Sequence, residues 1–217
     1  PGGAAAPLPT WLTRAPAAEP RPARPLAPSS LGEDASADPP FPPGALIEAA
    51  RRGTLVHRLL ERLPAVAGDA RADAARRWLA RNAADLTEAA RAEIAQSALA
   101  VVGDPRWADL FAADALAEVP VAALVGGRVV AGTIDRLVIR GDALRLVDFK
   151  TARRPPARLE DVPLATLRQM AAYAAALSAA YPGRRVEAAL LYTQTPRLIE
   201  VPAEVLAAHK PDFAGDE

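Results

Sequence analysis

Asp135, Asp148 and Lys150 stand where a strand pattern calls for aliphatic side chains: residues 133–151 read TIDRLVIRGDALRLVDFKT. Arg140-Gly141-Asp142-Ala143 divides this stretch into two runs rich in Ile, Leu and Val. Gly141-Asp142 suits a two-residue hairpin turn, because glycine readily takes the positive φ needed at its first position. If Arg140 pairs with Ala143, the register sets Asp135 directly opposite Asp148. Leu137, Ile139, Leu144 and Leu146 then share that face, as does Lys150 two residues beyond Asp148. Opposed carboxylates repel each other. A shared proton, a basic side chain or a bound cation would make the pair tolerable. Lys150 cannot neutralise two carboxylates, whereas a divalent ion would, and oxygen ligands suit magnesium or manganese. The competing reading is a hairpin whose aspartates face solvent, with Lys150 in a surface ion pair. The apolar neighbours on the same face favour a site.

Other residues gain meaning beside this pair. His57 lies in GTLVHRLLE (residues 53–61), next to an apolar helical stripe, and read alone it is a packed helix residue. Gln169 and Tyr173, four apart on a later helix, share a face and read alone as a polar edge on an alanine-rich helix. Glu118 sits mid-strand in Ala117-Glu118-Val119-Pro120, either as a further inward carboxylate or facing solvent. Arg145, Arg153, Arg154 and Arg158 make the chain basic around Lys150. That is the pattern of a solvated loop or, beside a carboxylate–metal site, of a phosphate-contacting surface.

The elements that must position these residues are legible as changes of period. Residues 45–63 carry Leu46, Ile47, Ala50, Val56, Leu59, Leu60 and Leu63 at helical spacing, and Pro64 stops the run. Residues 69–83 and 86–102 predict two further amphipathic helices, and Asp104-Pro105 opens a short fourth ending near Ala113. The period then becomes alternating, with strands expected at 115–125, 128–140 and 143–151. A helix at about 163–180, strands at 186–194 and 197–201, and a short terminal helix complete an α+β or α/β domain.

Composition sets the outer bounds. The 217 residues fit one domain, or one domain plus an appendage. With 26 basic and 26 acidic residues, bulk charge predicts neither a nucleic-acid nor a membrane partner, so any such surface must be local. The lack of cysteine excludes disulfides, thiolate zinc sites and an iron–sulfur cluster within the chain. No apolar run approaches a membrane span and no signal-peptide layout is present, so a soluble, cytoplasmic protein without membrane contact is expected. Residues 1–43 hold twelve of the 22 prolines and read as an extended linker, in which Pro9-Thr10-Trp11-Leu12 could anchor to a folded surface. The opening Pro1-Gly2-Gly3, without methionine, reads as a piece cut from a longer polypeptide.

Four blocks stand in a telling order: GTLVH (53–57) with Leu60-Glu61, GTIDR (132–136), VDFKT (147–151) and QMAAY (169–173). In these the chain resembles the RecB-like branch of the PD-(D/E)XK nucleases. More closely, it is similar to the C-terminal nuclease domains of the AddA subunits of bacterial AddAB helicase–nucleases. The likeness covers roughly residues 44–201, and the leader resembles the segment tethering such domains to the helicase.

The resemblance implies a restriction-endonuclease-like core, a mixed sheet flanked by helices with an N-terminal helical portion, over 44–217 behind a linker at 1–43. It implies that His57, Asp135 and Asp148, with the backbone carbonyl of Phe149, bind Mg²⁺, or Mn²⁺ in its place. Lys150 would orient the attacking water and stabilise charge on the phosphorus, while Gln169 and Tyr173 hold the site and the nucleic-acid backbone. Glu118 resembles an acidic residue some relatives carry on the first core strand, a further candidate ligand. The partners implied are DNA, delivered as a single strand, the helicase portion of the same polypeptide and an AddB-type subunit, in the bacterial cytoplasm at the nucleoid. Without cysteine, the iron–sulfur cluster of AddB-type relatives is not expected. A module that only grips DNA or a subunit, and a stand-alone exonuclease, are the competing readings. Keeping His57, Asp135, Asp148 and Lys150 together speaks against the first.

Overall fold

The computed structural model describes residues 25–28 and 45–211. The helices are α1 (Ala45–Arg62), α2 (Arg71–Asn82), α3 (Glu88–Val102), α4 (Leu164–Ala180) and α5 (Ala203–Ala208). The strands are β1 (Leu116–Val125), β2 (Arg128–Arg140), β3 (Ala143–Lys150), β4 (Arg185–Tyr192) and β5 (Arg197–Val201). The fourth helix expected from the sequence is a 3₁₀ segment, Pro105–Phe111, which Asp104 caps by accepting the N–H of Arg106 at 2.9 Å.

The five strands lie in sequence order, antiparallel except for β3 beside β4, which run parallel. A parallel pair needs a crossover, and α4 supplies it. On one face α4 and α5 cover Leu137, Leu144, Leu146 and Leu190. On the other, α1–α3 cover Val138, Val147, Phe149 and Leu191. Covered on both sides, β3 is buried along nearly its whole length rather than at alternate residues. The alanines of α4 let its backbone lie close to the sheet, with Met170, Tyr173 and Leu177 filling the gap.

Three departures from the sequence reading bear on function. Ile47 is 76% exposed and Ala50 is exposed too, so the buried stripe of α1 starts only at Arg52 and Leu55. The leader is anchored: Leu26 forms a parallel bridge to Val130. Its N–H donates to the Val129 carbonyl at 2.8 Å, and its carbonyl accepts from Ala131 at 3.0 Å. This fills the edge that β2 exposes beyond the end of its pairing with β3. The expectation for Trp11 lies outside the described residues. Finally, the hairpin keeps its expected register from Arg140↔Ala143 to Arg136↔Val147 and stops there. Asp135 and Asp148 do not form a cross-strand pair. Strand β3 stays with β4, where Asp148 aligns with Leu190, while β2 turns away.

Candidate metal centre

The parting of β2 from β3 builds the site. Ile134 and Leu137 both pack into the layer under α4, although strict alternation would put residues three apart on opposite faces. The irregularity has a counterpart on β1. Pairing steps from Ala117↔Arg136 to Val119↔Ile134, and Glu118 between them takes φ +50°, a conformation costly for a non-glycine residue. Freed from the ladder, the Asp135 carboxylate takes the place of a backbone carbonyl, and its Oδ2 accepts the N–H of Phe149 at 2.6 Å. Its other oxygen, Oδ1, lies 3.1 Å from Nδ1 of His57.

His57 reaches Asp135 because α1 lies across the sheet. Phe149 braces the imidazole from below, ring edge to ring at 5.8 Å, and Phe111 stacks on Phe149 at 6.2 Å. One ligand atom each from His57, Glu118 and Asp135 lie within 4.8 Å of one another. Asp148 is not in that group. It is buried, with Oδ2 3.2 Å from Lys150 Nζ, and Lys150 in turn donates to Gln169 Oε1 at 2.7 Å. Gln169 and Tyr173 are buried rather than on a polar edge. Gly132 makes room for Tyr173: a Cβ there would meet the Tyr173 ring at 2.9 Å and its hydroxyl at 3.0 Å, with Pro28 of the leader at 3.1 Å. Arg153, Arg154 and Arg158 are exposed, Arg158 beside Asp161 at 3.4 Å, whereas Arg145 is engaged by Glu200 at 2.5 Å on β5.

The electrostatics tie the two halves together. Burial alone would lower the His57 pKa, but the charge and hydrogen bond of Asp135, aided by Asp148 and Glu118, raise it to about 8. Burial pushes Asp148 up, opposed by Lys150, and the Asp135 charge adds to the rise. Glu118 is raised by burial and by Asp135. Tyr173 is pushed up to about 12, by burial first and then by the two aspartates, so its phenol stays protonated at neutral pH. Asp135 raises both Glu118 and Asp148 by like charge, with one imidazole and one ammonium among the three carboxylates. The buried Asp148 Oδ2 faces the Lys150 ammonium at 3.2 Å. Carboxylate oxygens and an imidazole suit manganese well, and magnesium through the oxygens. The residues therefore fit a divalent ion.

Arg52, Phe111 and Arg136 escaped the sequence reading. Arg136 had a signal: it shares the parity of Val138, which is buried under α1–α3, so it is a cation at a core-facing position. Arg52 had none, since its partners are 41 to 142 residues away.

Helical layers on both faces of a mixed sheet, with acids, an imidazole and an ammonium gathered where two strands part, define an α/β domain with a candidate metal centre. The chain belongs to the PD-(D/E)XK nuclease superfamily, whose family pattern matches residues 33–214. Among solved structures it is similar to a candidate exonuclease from Eubacterium rectale, at 14% identity and a TM-score of 0.52. That match covers 74% of this chain and 61% of the other, and at this identity it speaks for the fold alone. The protein SSO0001 is 17% identical over 75% of this chain and 82% of its own, but a TM-score of 0.31 carries no argument. No curated protein matches. No helix among the described residues is long and apolar enough to cross a membrane.

Proposed function

We propose that the domain is a Mg²⁺-dependent deoxyribonuclease, serving an AddA-type helicase–nuclease that hydrolyses one strand of a broken DNA end. The observation that carries the catalytic part is the joining of two half-sites. His57, Glu118 and Asp135 converge on one side, and Asp148, Lys150 and Gln169 on the other, linked by mutual charge effects. His57, Asp135, Asp148, Glu118 and the Phe149 carbonyl would hold the ion. When bound, Mg²⁺ polarises a phosphate oxygen and lowers the pKa of water for in-line attack. Lys150, held between Asp148 and Gln169, presents a fixed positive charge where negative charge grows on the phosphorus. Tyr173 offers a protonated hydroxyl for a backbone oxygen, and Arg153, Arg154 and Arg158 offer charge along the strand. None of these groups reads base edges, so cleavage is sequence-independent in this reading.

The helicase context and an AddB-type partner rest on the four sequence blocks and on the proline-rich leader. A second reading, a stand-alone exonuclease, is favoured by the name of the Eubacterium rectale neighbour. The test compares wild type with Asp148→Ala, in the full complex and with Mg²⁺ present. Loss of nucleotide release with ATP-driven unwinding intact supports the proposal. Equal release by both proteins leaves the domain a binding module, and full activity of the isolated chain favours the stand-alone enzyme.

A further inference from the structure

Two buried arginines fasten α1, which carries His57, to the strands that carry the carboxylates. We infer that Arg52 and Arg136 are positioning residues for the metal centre, an inference that rests on the functional reading above. Arg136 is 3% exposed, and its Nη2 donates to the Leu60 carbonyl at 2.6 Å. That carbonyl needs an outside donor for a reason written in the sequence. Its helical partner four residues on is Pro64, which has no N–H. The guanidinium also lies 5.1 Å over the ring of Phe111, which stacks on Phe149 beneath His57.

Arg52 works from the other side of His57. Its Nη1 donates to the Thr151 carbonyl at 3.1 Å, directly after Lys150. Its remaining donors reach Glu93 at 3.1 Å, Ser97 at 3.2 Å and Gln194. Close approach is built in, because a Cβ on Gly53 would stand 3.0 Å from Thr151 Oγ1. The helix is thus pinned to β2 at Leu60 and to the end of β3 at Arg52. These points are about 12 Å apart along the axis, with His57 between them. Neither sliding nor rolling of α1 is free, and either would carry the imidazole off Asp135.

The alternatives give different signs. Burying a guanidinium is costly, and an apolar side chain of similar size would pack between α1 and β2. What it would not do is hold Leu60. Asp135, Glu118 and Glu61 act on Arg136 only through space. If charge were its whole contribution, removing it would strengthen the binding of a cation to the anionic cluster. Positioning predicts the opposite.

Mn²⁺ binding to the whole chain, followed by electron paramagnetic resonance together with thermal melting, separates these cases. Arg136→Met and Arg52→Met should melt cooperatively and bind Mn²⁺ about tenfold or more weakly, the size expected for groups that orient metal ligands. Unchanged or tighter binding by a folded variant overturns the inference. Should a methionine variant fail to melt cooperatively, Arg136→Lys and Gly53→Ala decide. The first keeps the charge but loses the fork, and the second pushes α1 off Thr151 without touching any charge. Both should weaken Mn²⁺ binding, and unaltered affinity in both overturns the inference. A wild-type chain that takes up no Mn²⁺ overturns the functional reading itself, and this inference with it.

Discussion

His57 Nδ1 stands 3.1 Å from Asp135 Oδ1, a contact between a helix and a strand whose residues are 78 positions apart. It raises the His57 pKa to about 8 in the folded chain, against 6.5 for a free imidazole. The folded state therefore binds the proton more tightly. Its contribution is fully present below about pH 6.5 and is lost as pH rises through about 8, a change of about 2 kcal/mol. In chelator, the melting temperature should fall across that window, and His57→Gln should flatten the fall. A variant that keeps the same slope assigns the titration elsewhere.

The same proton competes with a metal ion. Mn²⁺ affinity of the wild type should rise with pH until about 8 and then level, because binding displaces the imidazole proton. Calorimetry in two buffers of different ionisation enthalpy reads the proton release directly. Binding without proton release near pH 7 removes His57 from the ligand set.

Lys150 and Asp148 sit in one ion pair yet separate in their expected defects. Lys150→Ala should lower DNA cleavage by about 10²–10⁴-fold, the usual range for a positioned catalytic group, with little loss of metal affinity. Asp148→Ala should lower both. Metal titrations alongside single-turnover cleavage distinguish them, and equal loss of Mn²⁺ binding in both variants would make Lys150 part of the metal site's structure.

Gly132→Ala tests the seat of Tyr173. The added methyl would meet that ring at 2.9 Å and Pro28 at 3.1 Å, at a position paired with Val121 of β1. Overpacking of this kind costs about 1–3 kcal/mol. Thermal melting should report that loss, along with faster proteolysis near residue 25. Wild-type values for both would mean the contact is easily relieved.

The arginines after β3 are tested by salt. Replacing Arg153, Arg154 and Arg158 together by alanine should weaken single-stranded DNA binding and reduce the slope of log affinity against log salt by about 2, at about 0.7 per phosphate contact. Cleavage of a strand already bound should change little. An unaltered slope returns the three to a solvated loop.

How much could be read in advance differs by element. The bounds of β2 and β3 follow from period-two alternation around Gly141-Asp142, and the register held for as long as the strands stayed paired. Register arithmetic failed at Asp135 because it presumes pairing continues. A carboxylate bonding to the Phe149 N–H replaces a ladder bond without leaving any mark in the pattern. Glu118 is similar, since nothing in a glutamate announces a positive φ. Gln169 and Tyr173 look like a polar edge when α4 is viewed alone. They are buried because Lys150 and Gly132, on distant strands, come to meet them. Lys150 stands out in the sequence by its place two residues beyond Asp148 on an otherwise apolar face.

The bridge at Leu26 changes the reach of the leader. With Leu26 bonded to Val129 and Ala131, the residues before Pro25 depart from the open edge of β2 and not from the start of α1. A fragment trimmed to begin at Gly44 would also bare the Val129 carbonyl and Ala131 N–H, leaving a stretch of open strand edge for another chain to pair with.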